Sequence, residues 1–339
     1  MHTYHPNMTL SDCSWLPLEQ LRDSSILITG GTGLVGYNLL RELSAIAPGL
    51  NLTVYALVRN EEKAKQRFSD FPHNIRLVLG DVTEPVTLDA PIDYMIHGAS
   101  ITSSRTFVEQ PVETVMTSVM GMRNLLELAR QKQVRSMVYL SSMEVYGSPE
   151  NDSLLTEQDV GYLNPLSLRS SYPESKRLCE TLCVAYAKEY AIPVTVARLA
   201  QTFGPGMQPG DRRAIVQFVD SAIRGENIEI KASGESARMY LYTFDAVSAL
   251  LTLLLKGQPG QAYNLANRHS YCSIRQLAEK VAAIYRPEIS VLVNTGTEAE
   301  RAIYPPDSFL RLDTSHLEAL GWEPMVSLED SLRYLGNTR

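Results

Sequence analysis

The chain has 339 residues, a formal net charge of −7 and 44% hydrophobic residues, which suits one large α/β unit with an appended lobe. Its mildly acidic composition, with scattered Lys and Arg, argues against a nucleic-acid partner, and no apolar run is long enough for a membrane span. The N-terminus lacks the features of a signal peptide, and the four cysteines form no Cys-x-x-Cys pair. We therefore expect a cytoplasmic protein with reduced thiols, no membrane partner and no metal site.

The predicted elements begin after residues 1–24, which we interpret as an N-terminal extension with a short amphipathic turn at Trp15–Leu21. Strand-like apolar runs then alternate with helical patterns. The predicted strands are Ser25–Gly30, Leu52–Arg59, Ile75–Asp81, Tyr94–Ala99, Ser136–Ser142 and Val194–Ala200. The predicted helices are Leu34–Ala47, which we expect to stop near Pro48, Val112–Lys132 and Tyr172–Tyr190. This alternation predicts an α/β fold of the Rossmann type, a doubly wound parallel sheet covered on both faces.

The pattern changes after Gly204-Pro205-Gly206, and the sequence from there to Arg238 is polar and predicted to be loop-rich. The elements predicted beyond this stretch are a helix at Asp245–Lys256, a strand at Ala262–Leu265 that returns to the sheet, a helix at Ser273–Tyr285 and a tail at Leu317–Leu335 that is helical apart from a Gly-Trp-Glu-Pro interruption. We predict a dinucleotide-binding domain over 25–200, with returns near 239–265. Residues 201–238 and 266–339 would form a smaller C-terminal α/β substrate lobe.

A Gly-rich turn comes after the first strand and opens the first helix. In this context Gly30 permits a tight turn, Gly33 allows backbone to approach a pyrophosphate, and Gly36 allows the helix to pack closely on the strand. The alternative is a Gly-rich turn that holds no ligand. The predicted cofactor contacts in this turn are Gly30, Thr32, Gly33, Leu34, Val35 and Gly36.

The end of the second strand carries Arg59 and no acidic residue. An Arg there favours the 2′-phosphate of NADP, whereas an acid would favour NAD. Arg59 could instead stack on adenine or face solvent, so the choice between NAD and NADP stays open. Asp81 is placed either to meet the adenine amino group or to cap the next turn. Further cofactor contacts are predicted at Val82, Gly98, Ala99, Ser100 and Ser141.

Tyr172 and Lys176 lie four residues apart on one predicted helix face. An ammonium and a nicotinamide cation near the phenol would lower the pKa of Tyr172 and favour the phenolate. That phenolate can take a proton from a sugar hydroxyl as hydride leaves the same carbon. Ser142 ends the fifth strand, at the sheet edge where ligands bind, and its hydroxyl could hold the same oxygen. We therefore predict Ser142, Tyr172 and Lys176 as catalytic residues, with Tyr172 and Lys176 also touching the cofactor.

These features occur with further motifs, in order, over nearly the whole chain from residue 25. The motifs are Gly30–Gly36, His97–Ser100, Ser141–Gly147, Tyr172–Lys176, Arg198–Gly206, Arg238–Asp245 and Tyr263–Asn267. With them the sequence resembles the extended short-chain dehydrogenase/reductase family of nucleotide-sugar epimerases, dehydratases and decarboxylases. The stretch Arg169–Arg177 looks most like UDP-glucuronate decarboxylases.

The resemblance implies roles for individual residues. Glu144 matches a Glu that acts at the sugar ring, with a solvated surface glutamate as the alternative. Met143 stands where the dehydratases carry an Asp that protonates the departing hydroxyl, and a thioether cannot do that. Decarboxylases carry a small hydroxyl residue at that place, so Met143 departs from them too. The substrate contacts implied are Thr102, Ser142, Met143, Gln201, Arg213 and Arg238.

Three functions remain open from sequence. The first is a nucleotide-sugar enzyme that oxidises carbon 4 transiently and recycles NAD or NADP. The second is a reductase that consumes NADPH on a keto-sugar or other carbonyl, and the third is a non-catalytic sensor of dinucleotide. The resemblance also implies a homodimer built on the helices Val112–Lys132 and Tyr172–Tyr190. Apolar residues on them that permit this, or a core within one chain, are Leu125, Leu126, Leu128, Leu178, Leu182 and Ala185.

Overall fold

The computed structural model describes residues 8–71, 73, 75–149, 151–208, 210–294 and 307–337. Residues 1–7 of the predicted extension and 295–306 of the predicted lobe lie outside this part of the chain. Its strands are β1 Ser25–Thr29, β2 Thr53–Val58, β3 Arg76–Leu79, β4 Tyr94–His97, β5 Ser136–Ser142, β6 Leu154–Leu155, β7 Val194–Leu199, β8 Gln201–Phe203, β9 Ile228–Ile230, β10 Ala237–Arg238, β11 Tyr240–Tyr242, β12 Ala262–Leu265, β13 Cys272–Ser273, β14 Val291–Val293 and β15 Phe309–Leu312.

Helices cover both faces of the main sheet and build much of the smaller lobe. They are α1 Leu34–Leu50, α2 Glu61–Arg67, α3 Ser104–Glu109, α4 Pro111–Lys132, α5 Ser171–Tyr190, α6 Ala214–Arg224, α7 Thr243–Lys256, α8 Ile274–Tyr285, α9 Ser315–Glu318 and α10 Leu328–Asn337.

Within the described residues, the main sheet has seven strands in the order β12-β7-β5-β4-β1-β2-β3. All neighbouring pairs are parallel. The order reverses between β1 and β4, and a ligand cleft is expected outside the carboxyl ends of the strands at such a point. The predicted doubly wound sheet is confirmed, and the short strand at Ala262–Leu265 does return to it, beside β7.

Residues of β1 pack on opposite sides of the sheet. Ile26 and Ile28 enter one core cluster, whereas Leu27 enters another that also contains Leu125 of α4. Since successive strand residues face opposite ways, the uninterrupted apolar run of β1 matches a strand that is buried on both faces.

Three predicted features differ from the structure, and in one of them, the predicted helical tail, helix is confined within the described residues 307–337 to Ser315–Glu318 and Leu328–Asn337. Helix α1 runs on through Pro48 to Leu50 and ends where Asn51 adopts a left-handed conformation, at φ 48°. Pro48 has no N–H to donate to the carbonyl of Ser44, so the helix lacks one hydrogen bond there, and only two helical residues follow. The helix therefore ends three residues after the predicted Ala47, and one residue past Pro48-Gly49, where the stop was expected.

The third difference lies in the stretch before Arg238 that was predicted to be loop-rich. It contains α6, whose buried residues Ile215, Val216, Phe218, Val219 and Ala222 recur at helical spacing. This apolar face packs with α8 in a third core cluster, which belongs to the smaller lobe. The prediction gave weight to the arginines and glycines of the region and overlooked this periodicity.

The segment that precedes β1 docks on the core. Leu10 and Leu21 are buried, and the indole nitrogen of Trp15 donates to Thr252 Oγ1 of α7 at 3.2 Å. Two short 3-10 helices, Leu10–Asp12 and Leu18–Leu21, carry these contacts. The segment therefore covers α7 and the adjoining C-terminal region.

Asp245 in α7 anchors the C-terminal segment from inside the core. Its carboxylate accepts hydrogen bonds from the backbone amides of Met325 at 2.9 Å and Val326 at 3.2 Å. Burial raises the pKa of Asp245 to about 7, although both amides act to lower it. The folded pKa thus exceeds the unfolded one, so the folded protein loses stability as pH rises from about 4 towards 7.

We expect Asp245→Asn to remove this contribution. Between pH 4 and 7, the free energy of unfolding of the unmodified protein should fall relative to that of the variant by roughly 3 kcal/mol. Urea unfolding at several pH values measures the difference, and Asp330→Asn on the surface serves as control. A difference between protein and variant that stays constant over this range would contradict the explanation.

Candidate active site

One cleft runs along the carboxyl edge of the main sheet and extends to the start of the smaller lobe. Every site residue predicted from the sequence lines it except Arg238. The structure therefore brings together the Gly-rich turn, the end of β5, the start of α5 and the segment around Gln201 and Arg213.

The Gly-rich turn is closely packed against the loop after β4. Gly30 has φ +75°, and a Cβ there would lie 2.5 Å from the carbonyl carbon of Gly98. At Gly36, a Cβ would lie 2.3 Å from the carbonyl oxygen of Gly30. Gly33 is the N-cap of α1, so the first amides of α1 open toward the cleft. Bare backbone at a helix N-terminus fits the pyrophosphate of a dinucleotide.

Ser142, Tyr172 and Lys176 meet where β5 ends and α5 begins. The Ser142 hydroxyl accepts a hydrogen bond from the backbone N–H of Glu144 at 3.2 Å, at the start of the 3-10 helix Met143–Tyr146. Lys176 is buried, and its Nζ donates to the carbonyl oxygen of Leu140 at 2.8 Å. The same nitrogen lies 5.6 Å from the centre of the Tyr172 ring. The hydroxyl of Ser142, the phenol of Tyr172 and the ammonium of Lys176 thus lie together at one end of the cleft.

The protein's own groups raise the pKa of Tyr172. Burial is the main cause and the charge of Glu144 adds to it, whereas a hydrogen bond from Ser142 and the charge of Arg169 act in the opposite direction. Burial also lowers the pKa of Lys176 to about 8. In the chain alone, desolvation therefore dominates the pKa of the phenol. The lowered pKa was expected from Lys176 together with a nicotinamide cation, and it stays a prediction for the protein with its dinucleotide bound.

Glu144 lines the cleft beside Tyr172. Its carboxylate accepts a hydrogen bond from the Arg169 guanidinium at 3.2 Å. Arg169 lies just before α5, so this ion pair joins the 3-10 helix after β5 to the approach to α5. Met143, between Ser142 and Glu144, is buried and also lines the cleft.

The predicted substrate arginines occupy different positions. The Arg213 guanidinium is held by Asp211 at 2.6 Å and by the Thr202 carbonyl at 2.6 Å, so its charge is already paired. Arg238 lies on β10, and its Nε is buried without a hydrogen-bond partner in the described part of the chain. Arg212, which was not predicted as a site residue, lines the cleft and makes no ion pair within the described ranges.

Two predicted cofactor contacts have structural partners. Asp81 Oδ1 accepts from the backbone and hydroxyl of Thr83, both at 2.9 Å, which is the turn-capping alternative. The Ser141 hydroxyl donates to Glu180 at 2.5 Å, and Glu180 also pairs with Arg198 at 2.7 Å. Both side chains still line the cleft, so their cofactor roles stay predictions.

Phe107 is a site residue that sequence reasoning missed. Its ring stacks on that of Tyr172, with centroids 4.3 Å apart and planes 7° apart. Its carbonyl accepts a hydrogen bond from Ser171 at 3.0 Å, and it is buried while lining the cleft. Helix α3 thus covers one face of the phenol and excludes water from it. A lone aromatic in a polar stretch gave no signal of this contact.

The amino-acid sequence of the chain was compared with known protein families and with individual proteins. The profile of the NAD dependent epimerase/dehydratase family matches residues 26–266. The chain is 34% identical to UDP-glucuronic acid decarboxylase 1 of Xenopus tropicalis over 309 residues, which are 91% of this chain and 70% of that protein. It is 31% identical to UDP-glucuronic acid decarboxylase 6 of Arabidopsis thaliana over 307 residues, 91% of this chain and 86% of that one.

Solved structures share the fold. UDP-glucose 4-epimerase of Thermotoga maritima aligns with a TM-score of 0.77 and 23% identity, covering 93% of this chain and 98% of that one. A dTDP-glucose 4,6-dehydratase of Bacillus anthracis aligns with a TM-score of 0.74 and 22% identity, covering 93% and 96%. At this identity the likeness establishes the architecture alone.

We expect Phe107→Leu to lower kcat about 10-fold with little change in KM, because the phenol loses the ring that orients it. Admitting water should also lower the pKa of Tyr172, so the acidic limb of the pH–rate profile moves to lower pH. Phe107→Tyr should restore both properties, and Val108→Ala, at an exposed neighbour on α3, should change neither. An unchanged kcat, or a lower kcat with an unmoved limb, contradicts this role.

Proposed function

Because this chain belongs to the NAD dependent epimerase/dehydratase family, we propose that it oxidises the sugar of a nucleotide-diphosphate sugar transiently at carbon 4. The observation that carries the proposal is that the Gly-rich turn lines the same cleft as Ser142, Tyr172 and Lys176. Residues 25–200, with returns near 239–265, would hold a nicotinamide dinucleotide. The lobe of 201–238 and 266–339 would hold the nucleotide sugar.

When bound, the dinucleotide supplies the hydride acceptor and returns the hydride later. The turn from Gly30 to Gly36, with the loop Gly98–Ser100, would hold its pyrophosphate. Tyr172 takes the proton of the 4-hydroxyl, and Ser142 holds the same oxygen. Lys176 contributes positive charge near the phenol, with its Nζ 5.6 Å from the centre of the Tyr172 ring, and would donate to the ribose hydroxyls of the dinucleotide.

We propose that the step after oxidation is loss of carbon dioxide from a uronic acid. A ketone at carbon 4 stands β to the carboxylate, so the carbon 5–carbon 6 bond can break with its electrons passing to the ketone oxygen held by Tyr172 and Ser142. Carbon 5 then takes up one proton, which comes from solvent and is relayed by the Glu144 carboxylate. Hydride returns to carbon 4, and the oxygen there regains its proton from Tyr172.

Met143 favours this step over loss of water. Elimination needs an acid to protonate the departing hydroxyl, and a buried thioether cannot supply one. Carbon dioxide needs no such acid when it leaves. The curated relatives, named as UDP-glucuronic acid decarboxylases, support the same choice, so we propose a UDP-uronic acid as the substrate.

Substrate binding would draw on the segment that leads into the smaller lobe. Gln201 and Arg212 line the cleft there, and an unpaired guanidinium suits a diphosphate. Arg213, which Asp211 already neutralises, would act by holding this segment in place. Thr102 lies across the cleft, after β4.

We further propose a cytoplasmic homodimer built on α4 and α5. Leu125, Leu126 and Leu128 are buried in the chain's own core, so they do not form its face. Apolar side chains exposed on the same helices include Val112, Met116, Leu178, Val184 and Ala185, of which Leu178 and Ala185 were predicted from the sequence. Among the described helices, none is long and apolar enough to cross a membrane.

Converting Tyr172 to Phe removes the proton acceptor and keeps the ring that stacks on Phe107. We expect turnover to fall below detection while the affinity for the nucleotide sugar changes less than about 3-fold, since the lost group acts mainly in the transition state. Initial rates and calorimetric titration measure the two quantities. Turnover within about 10-fold of the unmodified protein would remove Tyr172 from the chemistry.

The reaction class is tested with a panel of UDP-, dTDP-, GDP- and CDP-sugars that includes uronic acids. Mass spectrometry should show loss of carbon dioxide from a UDP-uronic acid, with no net change in nicotinamide absorbance. Unchanged mass with inverted configuration, or loss of water, would replace decarboxylation by another reaction of the family. A gain of two hydrogens with consumption of NADPH would establish the reductase.

A further inference from the structure

We propose that Arg59 forms a binding site for the 2′-phosphate of the adenosine ribose, so that the chain takes NADP in preference to NAD. The inference rests on the proposed function only in requiring that the cleft binds a nicotinamide dinucleotide. The family description names NAD, so a preference for NADP would be a property of this chain's own residues.

The position of Arg59 is set by the register of the sheet. Strand β2 pairs in parallel with β1, with Leu57 opposite Thr29. The next residues of each strand, Val58 and Arg59 on one side and Gly30 and Gly31 on the other, therefore leave the sheet side by side. All four line the same cleft. In this fold the residue just after β2 is the one that meets the 2′ oxygen of the ribose.

The end of β2, from Ala56 to Asn60, carries no carboxylate that could accept from a free 2′-hydroxyl. Asn60 uses its side-chain oxygen to cap α2 by accepting from the Lys63 amide at 2.9 Å. Among the described residues lining the cleft, carboxylates belong to Asp81, Glu144 and Asp211. Glu144 and Asp211 pair with Arg169 and Arg213 toward the catalytic and lobe ends of the cleft.

Asp81 is the one of these carboxylates that lies near Arg59. Its Oδ1 is engaged by Thr83, and its Oδ2 lies 3.8 Å from the Arg59 guanidinium. That separation is an ion pair without a hydrogen bond. Asp81 therefore holds Arg59 loosely over the cleft.

Arg59 itself is available to a ligand. Its side chain is 80% exposed and makes no hydrogen bond within the described part of the chain. A guanidinium fork matches phosphate oxygens bidentately, and such charge-assisted bonds are about twice as strong as neutral ones. A 2′-hydroxyl, being neutral, gains little from the same group. The geometry thus favours the phosphorylated ribose.

The test measures binding without any nucleotide sugar. Dinucleotide that copurifies is released with acid and identified by mass spectrometry, and the stripped protein is titrated calorimetrically with NAD, NADP, 5′-ADP and 2′,5′-ADP. We expect NADP to copurify and to bind about 10- to 100-fold more tightly than NAD, with the same order for the two ADP fragments. The pairs differ only in the 2′-phosphate, so the ratio isolates its contribution.

Variants assign the preference to one side chain. Arg59→Leu should bring the NADP and NAD affinities within about 3-fold of each other while leaving the NAD affinity nearly unchanged. Arg59→Glu should reverse the order, because a carboxylate accepts from the 2′-hydroxyl and repels a phosphate. Arg135→Leu is the matched control. Arg135 is also exposed and paired with a carboxylate, that of Asp93, but it precedes β5 and so lies at the amino ends of the strands, away from the cleft. This variant should keep the full preference.

Equal affinities, a preference for NAD, or an NADP preference that survives in Arg59→Leu would overturn the inference. Binding of neither dinucleotide would overturn both this inference and the proposed function. A wrong sugar or a different second step would leave the dinucleotide ratio untouched, so the two failures are distinguishable.

Discussion

The buried ammonium of Lys176 is the contact on which the arrangement of the site depends. It lies between β5 and α5, donates to the Leu140 carbonyl at 2.8 Å and sits 4.8 Å from the centre of the Tyr139 ring. A buried cation is costly unless it is hydrogen-bonded, so this contact fixes the distance between the end of the strand and the first turns of the helix. Ser142 and Tyr172 are carried on those two ends and are therefore held together.

A separate set of hydrogen bonds links α1 and α2 to the chain that follows β8. The Asn38 side chain donates to the carbonyls of Leu34 at 2.9 Å and Pro205 at 2.8 Å. Arg67 donates to the Gly206 carbonyl at 2.5 Å. Pro205 is thereby hydrogen-bonded to α1, which follows the Gly-rich turn, and Gly206 to α2. These contacts hold residues that follow β8 beside the Gly-rich turn.

Local pattern was enough to predict the main sheet and the phosphate-binding turn. Alternating apolar runs indicated the strands, and glycines at fixed spacing indicated the turn, because these features depend on period and backbone freedom. Features set by contacts distant in sequence were not predictable in the same way. The stack of Phe107 on Tyr172, the pairing of Arg213 with Asp211 and the raised pKa of Tyr172 depend on how α3, the lobe and the core close around the cleft. Helix α6 could have been predicted from its spacing and was missed.

In the proposed mechanism Tyr172, buried beside Ser142 and Lys176, removes the proton of the 4-hydroxyl while hydride leaves carbon 4. The hydride later returns to the same carbon. The most direct measurement uses a nucleotide uronic acid carrying deuterium at carbon 4 and traces the label by mass spectrometry and NMR. We expect the product to keep the deuterium at carbon 4 without exchange into solvent or into added coenzyme. We also expect a single turnover to show transient absorbance of reduced nicotinamide, formed more slowly from the labelled substrate than from the unlabelled one. Product that has lost the label, or product formed at equal rates from both substrates with no such transient, would contradict this mechanism.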